Sequence, residues 1–281
     1  MTCVSYKRVS LLVLVFCVSV LGFYAFRDVS SLKVYFLNIG QGDAIFIEAP
    51  YGNQMLIDGG ADKAVLRELG KVMPFFDRSI DVVMETHPDA DHIGGLPAVL
   101  NRFDVGVFLE PGVSSDNTID EEIARIRETK NIESIRAREG MRINLRGGAV
   151  FDVLFPNVDV TRFETNTASI VGKLVFGSTT AMFTGDSPQS IEKYLVARYG
   201  ERLESDILKA GHHGSRTSSS REFVESVRPQ FVIISAGLNN RYGHPHAEVI
   251  SLFEEKKSDI VSTAKEGTIR FVSDGSVFER K

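Results

Sequence analysis

The stretch His87-Pro88-Asp89-Ala90-Asp91-His92-Ile93-Gly94-Gly95 sets four ligand-type side chains within six residues. It follows an apolar run, Ile80 to Met84, that reads as a buried strand. Side chains in such a turn stand at the rim of a sheet. Imidazoles and carboxylates crowded there are poorly solvated unless a cation neutralises them. Gly94 and Gly95 predict a tight turn into a helix over Leu96–Asn101. The whole chain has only six His, so two in this turn read as metal ligands rather than loop filler.

Two further strand ends carry similar chemistry. Thr180–Thr184 runs into Gly185-Asp186, and Ile207–Ala210 runs into Gly211-His212-His213-Gly214-Ser215. Each alone is a polar turn. Together the three predict a two-metal site, which needs several His and Asp side chains and one carboxylate shared by both cations. Asp186 is the natural shared carboxylate.

Composition frames these clusters. At 281 residues, 43% apolar and 25% charged, the chain can bury a full core. Lys7 and Arg8 precede an apolar run, Val9–Phe26, long enough for one bilayer crossing. A cleaved signal peptide would favour small residues before the cut, yet Phe23 and Tyr24 precede Ala25. The expectation is a cytoplasmic tail over residues 1–8 and an uncleaved signal anchor over 9–26. A globular domain over 32–281 would then lie outside the cytoplasm. The only two cysteines, Cys3 and Cys17, lie in the tail and the anchor, so no disulfide staples the domain. The net charge of −5 argues against a broad nucleic-acid face. One run is locally basic, from Arg125 through Arg127, Lys130, Arg136, Arg138 and Arg142 to Arg146. Such runs are usually a solvated face.

Along the chain, Leu32–Asn38, Ala44–Glu48 and Gln54–Ile57 predict a meander, and Asp62–Val72 an amphipathic helix. Further strands are expected at Gly106–Leu109, Val150–Phe155, Ile170–Phe176 and Phe231–Ser235. Ser187 is read as the N-cap of a helix over Pro188–Arg198. Ser219 and Glu222 fit a capping box before a helix near Ser220–Val227. Ala247–Lys257 reads as a helix, and Thr268–Val272 with Ser276–Glu279 as a closing hairpin. Alternating strands and helices predict one α/β or α+β domain.

In sequence order, His-x-Asp-x-Asp-His-x-Gly-Gly, Thr-Gly-Asp and Gly-His-His-Gly-Ser resemble the metallo-β-lactamase superfamily. More closely, they resemble the hydrolase-like domain of ComEC-type competence DNA-uptake proteins. The same likeness runs through Asn38-Ile39-Gly40-Gln41-Gly42-Asp43-Ala44, Leu56-Ile57-Asp58-Gly59-Gly60, Asn166-Thr167-Ala168-Ser169 and Asn240-Arg241-Tyr242-Gly243-His244-Pro245. It implies a four-layer αββα sandwich with metals at one edge of the two sheets.

The chain departs from the superfamily pattern in places. Asp89 stands where the superfamily usually has a second His, Asn166 and Ser169 occupy the neighbourhood of a third, and Asn38 often has Asp as its counterpart. A carboxylate-bearing turn reads Ala264-Lys265-Glu266-Gly267 here. The resemblance implies one or two divalent ions, Zn²⁺ or Mn²⁺, with metal ligands His87, Asp89, Asp91, His92, Asp186 and His212. Carboxylate in place of imidazole at Asp89 hardens one half-site and moves its preference from Zn²⁺ toward Mn²⁺ or Mg²⁺. Asp91 would orient or deprotonate the attacking water, and His244 would donate a proton to the leaving group. His213, Ser215, Arg216, Asn166, Ser169 and Asp58 are expected behind the ligands or against substrate.

The activity this implies is membrane-anchored, metal-dependent hydrolysis, with DNA phosphodiesters as substrate. The alternatives are hydrolysis of a small ester, lactone or lactam, and a binding domain whose catalysis has weakened. The partners read from the sequence are the membrane and DNA, with no protein partner implied.

Overall fold

The computed structural model describes residue 9, residues 11–16 and residues 30–281. The chain divides into two compact units, 1–30 and 31–281. In the first, residues 9 and 11–16 are helical and exposed. The rest of the expected tail and anchor lies outside the described residues. Among the described residues no helix is long and apolar enough to cross a membrane.

The second unit is built on two sheets. The first carries β1 (Leu32–Phe36), β2 (Ile45–Glu48), β3 (Gln54–Ile57), β4 (Ser79–Met84), β5 (Asp104–Glu110) and β6 (Glu133–Arg136) in that order, with β14 (Ile269–Ser273) and β15 (Phe278–Arg280) beyond β1. The second runs from β7 (Arg142–Asn144) through β8 (Val150–Phe155), β9 (Val171–Phe176), β10 (Thr179–Phe183), β11 (Ile207–Lys209) and β12 (Phe231–Ile234) to β13 (Asp259–Ser262). β3 to β6 are parallel, and so are β10 to β13.

Three apolar layers hold this arrangement. Alternate residues of both sheets, including Phe36, Met84, Phe151, Phe183, Ile207 and Phe271, form the central layer. The opposite face of the first sheet buries Phe46, Leu56, Val83 and Phe108 against α1 (Ala64–Val72), α3 (Leu96–Arg102) and α4 (Thr118–Lys130). The second sheet packs in the same way against α5 (Gln189–Tyr199), α6 (Arg221–Val227) and α7 (Ala247–Glu255). Short helices α2 (Ala90–Ile93) and α8 (Thr263–Glu266) complete the unit. Two sheets face to face, each covered by helices, match the expected αββα layering.

Local chemistry departs from the sequence reading at two helix starts. Pro188, not Ser187, caps α5, and no side chain bonds there. The capping box at Ser219 and Glu222 does not form. Instead the carboxylate of Glu192, on α5, accepts from Ser219 N–H at 2.5 Å and Ser220 N–H at 2.7 Å. It therefore takes the Ser219 N–H that Glu222 would have held in a capping box, together with the Ser220 N–H beside it. Gly94 and Gly95 form the expected turn into α3, with ordinary right-handed backbone angles. They are glycine because any Cβ would collide with the carbonyl oxygens of Ala61 and Gly59. That close approach seats the ligand-bearing turn against the end of β3.

The run from Arg125 to Arg146 is also divided. It spans the end of α4 and the two edge strands β6 and β7, where charge blunts exposed sheet edges. Arg127 pairs with Glu110 at 3.0 Å, Lys130 donates to the carbonyls of Leu100 and Phe103, Arg138 donates to those of Pro111 and Ala137, and Arg142 holds Asp152.

Candidate metal centre

The carboxyl ends of parallel strands from both sheets meet at one edge, the usual place for a site in open α/β sheets. β3 delivers Asp58, β4 delivers His87 and the turn to His92, β10 delivers Asp186, and β11 delivers His212 and His213. The loop before β2 adds Asp43. Gly42, with φ of +112°, lets that loop press on the ligand turn, since a Cβ there would strike the Asp91 carbonyl oxygen.

Asp186 Oδ2 is the focus. His92 Nε2 lies 3.4 Å away, His212 Nε2 and His213 Nε2 each 3.5 Å, and His87 Nε2 4.0 Å. Asp89 Oδ2 lies 3.7 Å from His87 Nε2, and Asp91 Oδ2 lies 3.3 Å from His213 Nε2. Ligands held at about 2.1 Å in a tetrahedron stand about 3.4 Å apart, so these spacings suit a shared cation.

The far side of each ring fixes its tautomer. His92 Nδ1 meets Asp58 Oδ2 at 2.9 Å, and His213 Nδ1 meets the Ser235 carbonyl at 2.9 Å. His212 Nδ1 meets Thr217 Oγ1 at 3.0 Å. Thr86 gives its hydroxyl proton to Asp58 at 2.7 Å, so it accepts from His87 Nδ1 at 3.0 Å. With protons on Nδ1, all four Nε2 lone pairs turn toward Asp186, the orientation that metal-ligating histidines take from their outer partners.

The inner atoms have no hydrogen bond. His87 Nε2, His92 Nε2, His213 Nε2 and Asp186 Oδ1 are buried and unpartnered. Such groups are costly to leave unsatisfied, and a divalent cation would satisfy all of them together. The donor set therefore fits a metal.

Charge agrees with that fit. Burial would raise the Asp186 carboxyl, but His213 and His92 hold it well below the usual carboxylate range. Burial would lower His92, yet Asp186 and then Asp58 raise it well above the ordinary imidazole value. His213, also buried, is pushed up to about 9 by Asp186 and Asp43. His87, buried beside His92, falls to about 4. The carboxylates thus draw protons onto two rings, and a cation would supply that positive charge and displace them.

Other expected residues fall around this centre. Asp43, His92, Asp186 and His213 form one compact ligand-type group, with an atom from each within 4.8 Å of the others. Asp43, however, faces the Nδ1 side of His213 at 3.3 Å and holds Lys209 at 2.7 Å, so it stands behind the ring. The sequence reading did not single out Asp43. Its signal was Lys209, a cation inside the apolar run Ile207–Ala210. His213, expected behind His212, is the more deeply buried of the two, with both residues at positive φ. Ser169 lies beside the Gly185 turn, and its Oγ and Asn166 Oδ1 are buried and unpartnered. His244 has its ring centroid 5.4 Å from that of His212. Burial, then His212 and His213, lower its pKa to about 4, so the ring is neutral at neutral pH. Ser215 accepts from Thr217, and Arg216 points outward to Glu248 at 3.4 Å.

Comparison with known proteins agrees with this geometry. The model of the metallo-beta-lactamase superfamily matches residues 37–237. ComE operon protein 3 of Bacillus subtilis is 29% identical over 256 residues, 85% of this chain and 33% of the relative. Recombination protein 2 of Haemophilus influenzae is 28% identical over 270 residues, 94% of this chain and 31% of the relative. The chain thus spans about a third of the length of these curated relatives. Among solved structures, Igni18, a metallo hydrolase of Ignicoccus hospitalis, has a TM-score of 0.58 at 16% identity, covering 86% of this chain and 98% of its own. YhfI of Bacillus subtilis, a metallo-beta-lactamase fold protein, has a TM-score of 0.53 at 15% identity, covering 86% and 99%. At these identities both bear on the fold alone.

Proposed function

The chain belongs to the metallo-β-lactamase superfamily, and from that premise we propose that it is a membrane-anchored, metal-dependent phosphodiesterase acting on DNA. The observation that carries the hydrolytic reading is the convergence of unpartnered His87, His92 and His213 Nε2 atoms on Asp186. In this proposal Asp91, His92 and Asp186, flanked by His212 and His213, hold one divalent ion. His87, Asp89 and Asp186 hold a second, with the oxygens of Asn166 and Ser169 nearby. Bound there, the ions would supply Lewis acidity and an activated water.

The chain's own groups then have separate tasks. Asp91 is held at about 2, because His213, with Nε2 3.3 Å from Oδ2, and the charge of His92 outweigh its burial. It stays ionised at neutral pH and can orient the attacking water. The neutral His244 ring can hydrogen-bond a substrate oxygen. DNA as substrate rests on the likeness to competence proteins and on exposed Arg136, Arg216 and Arg241. A small ester or lactone is the second reading. It is favoured by the engagement of Arg127, Lys130, Arg138 and Arg142 within the fold.

The test is to incubate the purified full chain with linear and circular DNA, with and without Mn²⁺ and a chelator. Cleavage that needs Mn²⁺ is the expected result. Turnover of a lactone or ester with no DNA cleavage under any divalent ion would select the second reading.

A further inference from the structure

The edge of the first sheet opposite the metal centre carries its own pattern. The register Lys33↔Glu48, Glu48↔Gln54, Met55↔Val82 and Leu32↔Ser273 brings together the starts of β1, β3 and β4 and the β14–β15 turn. On that edge Phe75 is 88% exposed, Phe76 60%, Tyr51 62% and Val277 51%. Phe75 and Phe76 are adjacent in the loop between α1 and β4. A single exposed apolar side chain is ordinary, but a group of them marks a contact surface. Two Phe side chains left in water forgo the free energy that burial would bring. Two basic residues flank the pair. The Arg78 guanidinium lies 5.4 Å from the Phe75 ring centroid, and Arg102, exposed at the end of α3, shares the walls of one surface cavity with Phe75 and Arg78. Aromatic tips flanked by long cationic side chains suit a lipid headgroup layer.

Chain connectivity points to the same occupant. The apolar run Val9–Phe26 ends six residues before Leu32, and six residues reach at most about 21 Å. Leu32 begins β1, and three strand spacings of about 4.8 Å separate β1 from β4. Leu32, the first residue of β1, therefore lies at the edge that carries the phenylalanines.

We infer that this edge rests on a lipid surface, with Phe75 and Phe76 in the headgroup layer and the metal centre turned toward water. At about 3.3 Å per residue, the climb along β4 from Ser79 to His87 places the centre roughly 25 Å above that surface. The inference rests on the anchor proposed above.

The chain contains no Trp, so Phe75→Trp, Phe76→Trp and Leu238→Trp each give a single fluorescent reporter. Each full-length variant would be reconstituted into phosphatidylglycerol/phosphatidylethanolamine vesicles containing lipids spin-labelled near the headgroup. Phe75→Trp and Phe76→Trp should shift to the blue and lose emission as the spin-label fraction rises. Leu238→Trp, in the loop after β12 on the metal side, should do neither. Flotation with the vesicles reports the anchor separately. Flotation with quenching equal to that of Leu238→Trp would overturn the membrane-facing edge while leaving the anchor intact. Chains that fail to float would overturn both.

Discussion

Lys209 Nζ lies 2.7 Å from Asp43 Oδ2, with both side chains cut off from solvent. Burial alone would raise the Asp43 carboxyl, but Lys209 and then His213 hold it well below the usual range. The ammonium also donates to the Ala210 carbonyl at 3.0 Å. Lys209, Asp43 and His213 thus form a buried line of charge ending at the metal centre.

Breaking that line from one end leaves a buried charge without its partner, which costs about 3–5 kcal/mol. Lys209→Met and Asp43→Asn should each lower stability on that order in chemical denaturation. The double variant should cost less than the sum, with coupling of about 1–3 kcal/mol. Additive losses would mean that the pair does not act as a unit.

Asp58 anchors the other side. It accepts Thr86 N–H at 2.8 Å, the Thr86 hydroxyl at 2.7 Å and His92 Nδ1 at 2.9 Å. Asp58→Asn replaces one accepting oxygen with a donor, and either amide orientation faces a group that already donates. His92 would have to move its proton to Nε2, the atom turned toward Asp186. Metal affinity in titration calorimetry should fall about 10–100-fold, while secondary structure persists. Unchanged affinity would remove Asp58 from the support of the site.

Gln54–Ile57 and Val150–Phe155 were readable to the residue, because each is a short β-forming run bounded by turn residues. By contrast, α4 hides its stripe of Ile119, Ile123 and Ile126 among acids and bases, and the edge strands β6 and β7 are polar. The glycine-flanked clusters at His87, Asp186 and His212 were legible because ligand types crowd where strands end. Asp43 with Lys209, and Glu192 with the start of α6, were not. Each pairs groups far apart in sequence, and neither half signals its partner through local spacing.

Glu192 gives a pH prediction. Burial pushes its carboxyl up to about 7, against the Ser219 and Ser220 amides that favour the ionised form. A folded pKa above the unfolded value of 4.5 means the contribution is fully present below pH 4.5. It is then lost as pH rises through about 7. The shift corresponds to on the order of 3 kcal/mol. Denaturation of the parent protein and Glu192→Gln should therefore show a stability difference that changes between pH 5 and 8 and is flat above. A difference independent of pH would mean that Glu192 does not titrate in that window.

Substrate charge is tested at the rim. Arg241 donates to the Tyr242 hydroxyl at 2.6 Å, and the Tyr242 ring stacks on His244 with centroids 5.7 Å apart, so Arg241 stands near the metal centre. Arg136, exposed at the end of β6, contrasts with Arg138, which is tied to two carbonyls. Reversing Arg136 to Glu alters surface charge alone and should change stability by no more than about 0.5 kcal/mol, while Arg241→Glu also gives up the Tyr242 hydrogen bond. If these guanidinium groups neutralise phosphates, DNA binding should weaken. The slope of log affinity against log salt should also shrink by about 0.9 per lost contact on duplex, or about 0.7 on single strands. Turnover of bis-p-nitrophenyl phosphate should stay at the parental rate in Arg136→Glu, because Arg136 lies at the sheet edge away from the ligand turn. Equal losses on both substrates would show that the reversals disturb the centre itself. An unchanged salt slope would show that DNA does not cross this rim.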